Sequence, residues 1–312
     1  MASKGLRVII GLSVASALLC GCSKQSVRAP AAGGSGKMIG VSLLDLEAQF
    51  YQAMEASMKT EAAKFGYGIS VVDANRDQAR QTSQVDDFLS RHVAAVVLSP
   101  ADSKAVGSAI VEANNSDVPV FTADIASTAA KGLVASHIAS DNLQGGKVAA
   151  DLLGKALHGS GSVAIIDEPE VTSVQDRVRG FKDELSAKFP GIKIVADQTA
   201  GGERARASSV ADNLLQQYPG LAGIFGINDD SALGALSSVE SAGKGGKIKI
   251  VGYDANPEAK KAIDAGRMVG DPEQHPDLIG KLTIDAIHDF FDGKKPPKRI
   301  PVTVGSYTGR TH

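Results

Sequence analysis

Short apolar runs alternate with amphipathic helical segments along most of this chain, and they do so in two successive sets. The first set of predicted strands covers residues 38–43, 69–73, 95–98 and 118–122, and the second covers residues 163–166, 192–196, 222–227 and 248–253. Helix-period segments separate them, near residues 50–65, 79–91 and 103–115 and then near 173–188, 204–218 and 229–242. Strands that alternate with helices of this length predict βαβ units and parallel sheets. With 312 residues, the chain is long enough for two such α/β lobes.

The two sets also resemble each other in where they place an aspartate. Asp124 follows the last strand of the first set, and Asp254 follows the last strand of the second. Ligands of open α/β sheets bind outside the carboxyl ends of the strands. Two such ends that face each other would form a cleft, so the paired aspartates favour an internal repeat over a chance likeness of βαβ units.

Carboxylates and an aromatic ring are the groups that a polyhydroxylated ligand requires. A carboxylate can accept charge-assisted hydrogen bonds from neighbouring hydroxyl groups, and each contributes roughly 1.5–3 kcal/mol. Phe50 and Tyr51 follow the first strand and are placed to supply the ring. The alternative is that both belong to the core of the first helix, but adjacent helical positions diverge by about 100°. We therefore expect at most one of them to face the core squarely.

The amino terminus has the features of an export signal. Lys4 and Arg7 precede an apolar run of twelve residues, which is shorter than the roughly 20 residues of a membrane span. The run ends at a segment that looks like a bacterial lipobox, with Gly21 before Cys22. We expect residues 1–21 to be a lipoprotein signal peptide, Cys22 to be lipidated and residues 22–36 to form a flexible tether. The alternative is an ordinary signal peptide with two incidental cysteines.

Several function classes are disfavoured by the composition and motifs. The net charge of −2, without a long basic run, argues against nucleic-acid binding. The six histidines are scattered, no motif for metal or nucleophilic catalysis occurs, and we expect neither an enzyme nor a cofactor. Residues 73–77 have the opening spacing of a calcium loop, but we interpret them as a strand-to-helix connection. The acidic pairs at 167–168 and 229–230 are interpreted as helix caps and solvated turns rather than as glycosidase carboxylates.

Four separate stretches of the sequence, taken together, have the motifs of a known protein family. They are residues 136–142 with Gly145 and Gly146, residues 228–229 with 232–236, residues 251–254, and Gln274 with Pro276 and Asp277. In these stretches the chain resembles the periplasmic sugar-binding proteins of the ribose-binding type. The similarity extends from Met38 to about Val304, and the combination is specific although any one stretch alone would be weak.

This resemblance implies the periplasmic binding protein type I fold, in which two doubly wound parallel-sheet lobes are joined by a three-stranded hinge. The chain would cross between lobes near residues 140–141, 274–275 and 304. The amino-terminal lobe would then comprise residues 37–139 with 275–302, and the carboxyl-terminal lobe residues 140–274 with 303–312.

The resemblance also implies which residues bind the ligand. By position they are Phe50, Tyr51, Asp124, Arg177, Asn228, Asp254 and Gln274. For Arg177 the alternative is a charge on an exposed helix face. The implied function is extracytoplasmic capture of a sugar or polyol and its delivery to ABC permease subunits, by a protein that we expect to be a monomer anchored in a membrane by its lipid.

Other functions with the same fold remain open. A sensory binding protein would present the same pocket to a chemoreceptor or sensor kinase, and a related pocket could hold a nucleoside or signalling molecule. A repressor of related fold would need an amino-terminal helix-turn-helix, where this chain has its export signal. An exported glycosidase would release product from a glycoside.

Departures from the ribose-binding pattern bear on the ligand. Ala48 and Ser99 stand where ribose binders carry asparagine, and Ile125 stands where they carry arginine. Gly202 occupies a position where an aromatic residue closes the far face of the sugar ring. We therefore expect a roomier pocket with fewer donors, especially in the amino-terminal lobe, so that a hexose, deoxy sugar or open-chain polyol would suit as well as ribose.

Overall fold

The computed structural model describes residues 36–309. The predicted signal peptide, Cys22 and the tether up to residue 35 lie outside the described residues. The first half of the described chain alternates strands and helices: β1 (Met38–Leu43), α1 (Gln49–Lys64), β2 (Gly68–Asp73), α2 (Gln78–Ser90), β3 (Ala95–Leu98), α3 (Gly107–Asn115), β4 (Val120–Ala123) and β5 (Val134–Ser140).

The alternation continues through the second half. Its elements are α4 (Asn142–Ala156), β6 (Ser160–Asp167), α5 (Thr172–Lys188), β7 (Gly191–Thr199), α6 (Arg204–Gln217), β8 (Leu221–Gly226), α7 (Asp229–Ser241), β9 (Lys249–Val251), α8 (Pro257–Asp264) and β10 (Asp271–Glu273). The last three described elements are α9 (Pro276–Phe291), β11 (Arg299–Val302) and β12 (Gly305–Tyr307).

Two parallel sheets organise these elements. The six-stranded sheet has the order β11-β5-β4-β3-β1-β2, and the four-stranded sheet has the order β7-β6-β8-β9. Every strand pair within these two sheets is parallel, while β10 and β12 form a separate antiparallel pair. Parallel strands need helical crossovers, which cover the faces of the sheet, and this explains why β3 is buried at all four of its positions. The predicted α/β fold class is thereby confirmed.

The chain leaves or rejoins the six-stranded sheet at three places. It leaves the six-stranded sheet after β5 and enters α4, which packs on α5 and contacts β9. It returns between β10 and α9, which packs on α1, and it crosses again between β11 and β12. We call the part around the six-stranded sheet the amino-terminal lobe and the part around the four-stranded sheet the carboxyl-terminal lobe. The residue boundaries given above remain our proposal for the two lobes.

Several predicted elements differ in extent from those observed, and for two of them the structure shows the cause. Helix α3 begins at Gly107 instead of residue 103, because the side chain of Asp102 accepts from the backbone N–H groups of Lys104 and Ala105 and holds a turn there. Strand β9 ends at Val251 instead of residue 253. Beyond it the backbone reaches a positive φ of 119° at Asp254, which ends the extended conformation.

Candidate functional site

A polar pocket lies at the carboxyl ends of strands from both sheets. The space in it that water-sized molecules can occupy is about 40 Å³, and residues from both lobes line it. All seven residues predicted to bind the ligand line it: Phe50, Tyr51, Asp124, Arg177, Asn228, Asp254 and Gln274. The structure therefore brings the predicted set together in one place, and their role in binding stays a prediction.

The beginning of α1 supplies the aromatic wall. Phe50 and Tyr51 are both buried, with rings 5.1 Å apart in an edge-to-face arrangement. Both rings line the pocket as well as packing against the core, so the expectation that at most one faces the core squarely stays a prediction. The Tyr51 hydroxyl donates to Asp124 Oδ2 at 2.8 Å, so this ring orients a carboxylate. Phe50 is left to offer its apolar ring to the pocket.

Asp124 is a buried acceptor with one oxygen unused. It directly follows β4 with a positive φ of 66°, and its backbone N–H donates to the Ile138 carbonyl at 2.8 Å. Its Oδ1 accepts no hydrogen bond from any residue in the described range 36–309. Burial raises the pKa of Asp124, while the positive charge of Arg177 and the Tyr51 hydrogen bond partly offset that rise. A buried carboxyl oxygen of this kind is completed by a donor from outside the protein.

Arg177 is a buried pocket residue rather than a surface charge. Its Nε donates to Asn142 Oδ1 at 2.8 Å and its Nη1 to the Ile227 carbonyl at 2.9 Å, while the guanidinium lies 3.9 Å from the centre of the Tyr253 ring. Helices α4 and α5 approach closely beside it, because a side chain at Gly146 would collide with the backbone carbonyl of Arg177. Three fixed contacts therefore hold the guanidinium in place before any ligand arrives.

Asn228, Asp254 and Gln274 form the remaining predicted polar set. Asn228 caps α7 by accepting from the Ser231 N–H at 2.8 Å and donates its amide to the Gly202 carbonyl at 3.0 Å. Gln274 Nε2 donates to Asp254 Oδ1 at 2.6 Å. Burial raises the pKa of Asp254 to about 7 against the opposing effects of Arg177 and Gln274.

The oxygen of the Gln274 side chain is a second unused acceptor. Gln274 Oε1 is buried and accepts no hydrogen bond within residues 36–309. It lies in the hinge connection between β10 and α9, whereas Asp124 belongs to the amino-terminal lobe. The pocket thus presents an unpaired acceptor from each of two separate parts of the fold.

Sequence reasoning missed three charged residues of the pocket: Arg76, Glu168 and Asp230, the last of which pairs with Arg204. Arg76 lies between β2 and α2, and Glu168 directly follows β6. Glu168 is buried, and burial raises its pKa to about 7 although Arg76 and Arg177 act to lower it. The interpretation of residues 167–168 as a solvated turn was therefore wrong for Glu168. Asp229 is buried as well, and the cap of α7 is Asn228.

The departures from the ribose-binding pattern have a structural consequence. Ala48 and Ile125 line the pocket as small or apolar residues, while Ser99 turns away and donates to the Ala123 carbonyl. The amino-terminal lobe was expected to supply few hydrogen-bond donors. That expectation was wrong, because the guanidinium of Arg76 enters the pocket from this lobe. The sequence feature that points to Arg76 is Gly202, because a position without a side chain leaves room there for another residue.

Two helices begin at the pocket wall without a capping side chain from their own N-cap residue, although Ser103 Oγ accepts from the Thr172 N–H of α5 at 3.0 Å. The N-cap residues of α1 and α5 are Ala48 and Val171, neither of which has a side-chain oxygen, and both line the pocket. The backbone N–H groups of a first helical turn lack intrahelical partners and form the positive end of the helix dipole. These two helix ends favour ligand atoms with lone pairs.

The charge balance of the pocket favours an uncharged ligand. Four carboxyl groups line it, from Asp124, Glu168, Asp230 and Asp254, against the two guanidinium groups of Arg76 and Arg177. These carboxyl groups offset the charges of the two guanidinium groups, so the lining offers an anionic ligand no excess of positive charge. Among residues 36–309, no group of His, Cys, Asp and Glu side chains is arranged to hold a metal ion. In the same range, every helix is too short or too polar to cross a membrane.

Comparison with known proteins identifies the family to which the chain belongs. A family model for the periplasmic binding protein domain matches residues 39–295. The chain is 34% identical over 300 residues to the ribose import binding protein RbsB of Bacillus subtilis (strain 168), covering 95% of this chain and 96% of the relative.

Solved structures agree with this match. The Caulobacter myo-inositol binding protein, bound to myo-inositol, superimposes with a TM-score of 0.82 at 33% identity, over 88% of this chain and 94% of that chain. An ABC transporter solute binding protein from Agrobacterium vitis, bound with alpha-D-tagatopyranose, gives a TM-score of 0.83 at 27% identity, over 87% and 94%.

Proposed function

Because this chain belongs to the periplasmic binding proteins, in the sugar-binding family of ABC transporter solute-binding proteins, we propose that it captures a neutral sugar or polyol between its two lobes. The proposal takes Phe50, Tyr51, Asp124, Arg177, Asn228, Asp254 and Gln274 as the ligand-binding residues. Delivery to an ABC importer completes the proposed role, and the chain itself carries no ATP-binding motif.

The observation that carries this proposal is the pair of unused buried acceptors, Asp124 Oδ1 and Gln274 Oε1. A buried acceptor without a partner costs about 1–3 kcal/mol, so a ligand that supplies donors recovers that energy on binding. Hydroxyl groups supply a donor and a lone pair at once, and they match acceptors and helix amino termini in the same pocket. A neutral polyol therefore fits both the acceptors and the charge balance.

Closure of the lobes is the proposed mechanism of capture, and periplasmic binding proteins are established examples of hinge closure. In the structure the lobes already touch beside the pocket, where Thr172 Oγ1 accepts from the Ala126 N–H at 3.0 Å. A ligand that contacts Asp124 in one lobe and Arg177 in the other stabilises the closed form by its additional contacts there. The closed form would be the one that the permease recognises.

We further propose that the protein works outside the cytoplasm and is held to a membrane through Cys22. Family membership supports the extracytoplasmic location. Support for the anchor comes from the sequence alone: a short apolar run ends in Gly21 and Cys22, and a polar spacer rich in Ser, Ala, Gly and Pro follows. Such a spacer would let the lobes sample the space above the membrane.

A thermal-shift screen of the purified protein against pentoses, hexoses, deoxy sugars and polyols tests the proposed function. A ligand present at 100 times its Kd stabilises the folded state by about 2.7 kcal/mol, which appears as a rise of several degrees in Tm. A rise with one neutral polyol, lost in the Asp254→Ala variant, is the expected result. A well-folded protein that responds to no member of the panel would refute the assignment to sugars.

A further inference from the structure

Arg76 is fixed in the amino-terminal lobe by contacts of that lobe alone. Asn75 and Arg76 both have positive φ, at 51° and 57°, in the connection between β2 and α2. The backbone N–H of Arg76 donates to the Leu44 carbonyl at 2.9 Å, and its Nε donates to Asp45 Oδ2 at 3.0 Å. The guanidinium is thereby aimed at the opposite lobe before the lobes meet.

Glu168 and Gly201 receive this guanidinium on the carboxyl-terminal lobe. Arg76 Nη1 lies 2.5 Å from Glu168 Oε1 and donates to the Gly201 carbonyl at 2.7 Å. The side chains of Arg76 and Glu168 are only 15% and 9% exposed. The ion pair therefore spans the cleft and is largely shielded from water.

The pair also fills the space that a side chain at position 202 would occupy. Gly202 has a positive φ of 69°, and a Cβ built there would collide with Glu168 Oε2 and lie 2.8 Å from Arg76 Nη1. Where relatives of the ribose-binding type are expected to place an aromatic ring, this chain places two charged side chains from different lobes.

Arg76 and Glu168 separate the pocket from a second, outer cavity. The space in this outer cavity that water-sized molecules can occupy is about 470 Å³, and its lining includes Glu47, Glu170 and Arg206. Both Arg76 and Glu168 line the inner pocket and the outer cavity, so they form part of the wall between the two. Removing them would join the two spaces.

From this placement we propose that Arg76 and Glu168 are specificity-determining residues that limit the ligand to a single unsubstituted sugar or polyol unit. This inference rests on the proposed function and extends it to the size of the ligand. The terminal hydroxyl of an unsubstituted polyol would contact the polar groups of Arg76 and Glu168. An O-alkyl or glycosyl substituent at that end collides with the pair or prevents it from forming.

The test compares each parent polyol with its O-methyl derivatives by calorimetric titration. The probes are myo-inositol, D-ribose and D-allose, each with the set of its mono-O-methyl ethers. The variants are Arg76→Ala and the double variant Arg76→Ala/Glu168→Ala, which leaves no unpaired charge of the pair behind. The control is Arg206→Ala, which removes an arginine that lines only the outer cavity and is 67% exposed.

One of the ethers carries its methyl group on the hydroxyl that faces Arg76 and Glu168. The wild type should bind the parent polyol at least about tenfold more tightly than this ether, which is the discrimination that one extra methylene in a pocket can give. In both Arg76 variants the ratio for that ether should fall about tenfold, and in Arg206→Ala every ratio should stay as in the wild type. Unchanged ratios in folded Arg76 variants, or an equal change in the control, would overturn the size limit alone. If the wild type binds none of these three, the panel member with the largest rise in Tm and its mono-O-methyl ethers take their place, and a wild type that binds no member of the panel would refute the proposed function.

Discussion

The Asp124→Asn substitution tests the site most directly, because it removes the charge of the buried carboxylate that has an unused oxygen. Asparagine has nearly the same shape, and it tolerates the positive φ of 66° at this position. The variant should therefore fold like the wild type. What it loses is the negative charge that strengthens a hydrogen bond from a ligand hydroxyl.

The size of the effect follows from the structure around Asp124. Oδ2 is already occupied by the Tyr51 hydroxyl at 2.8 Å, so Oδ1 is the oxygen left for the ligand. A hydrogen bond to a charged group contributes about 1.5–3 kcal/mol, compared with about 0.5–1.5 kcal/mol for a neutral one. Complete loss of the charged bond would weaken binding about 10- to 150-fold, and partial retention by the amide oxygen places the result toward the lower end.

Calorimetric titration of the polyol identified by the thermal-shift screen measures this effect, with Tm recorded in the absence of ligand. Asp87→Asn is the matched control, because Asp87 is an exposed acid of the same lobe that forms an ion pair with Arg91, the residue that follows α2. Asp87→Asn should leave Kd unchanged. If folded Asp124→Asn binds within about twofold of the wild type, the hydroxyl contact assigned to Oδ1 does not exist.

Three further predictions concern packing, pH and the anchor. Gly146→Ala should lower the free energy of unfolding by about 1–3 kcal/mol in urea denaturation, because its methyl group would collide with the Arg177 carbonyl. The control Gly220→Ala, which has open space around it, should leave that free energy unchanged. Equal effects of the two substitutions would contradict the packing argument. Since burial raises the pKa of Asp254 from 3.8 to about 7, the folded state binds more protons than the unfolded state between these values. The free energy of unfolding should thus fall as pH rises from 4 to 7, and Asp254→Asn should flatten this slope; an unchanged slope would refute the assignment. In cells labelled with a radioactive fatty acid, the wild type should incorporate label and Cys22→Ser should not, and labelling of both would place the lipid elsewhere.

The sequence anticipated eight of the ten strands of the two sheets, and most clearly the inner ones such as β3 and β4, which are buried on both faces. Runs such as those of β1 and β3 contain few polar residues, which makes them recognisable without knowledge of their partners. Strand β5 was not predicted as a strand. Its polar positions Ser136 and His137 interrupt the apolar pattern, and they are satisfied only in the fold, by the Pro297 carbonyl and by Thr122.

The same distinction separates the site residues that were predicted from those that were missed. Asp124 and Asp254 follow strands, so the carboxyl-end rule alone indicates them. Arg76 and Glu168 are 92 positions apart in the sequence, and their pairing exists only because two lobes meet. Nothing local distinguishes Glu168 from an ordinary acidic turn residue, and no periodicity marks Arg76. Contacts between lobes are decided by tertiary structure, which a single sequence does not reveal.

A crystal structure of the protein grown with its tightest-binding polyol tests the central claim most directly. We predict one molecule in the pocket beside Phe50, with hydroxyl oxygens within hydrogen-bond distance of Asp124 Oδ1 and Gln274 Oε1 and with the Arg76–Glu168 pair intact beyond it. A polyol bound elsewhere, or one in the pocket that leaves both of these oxygens without a partner, would contradict the account.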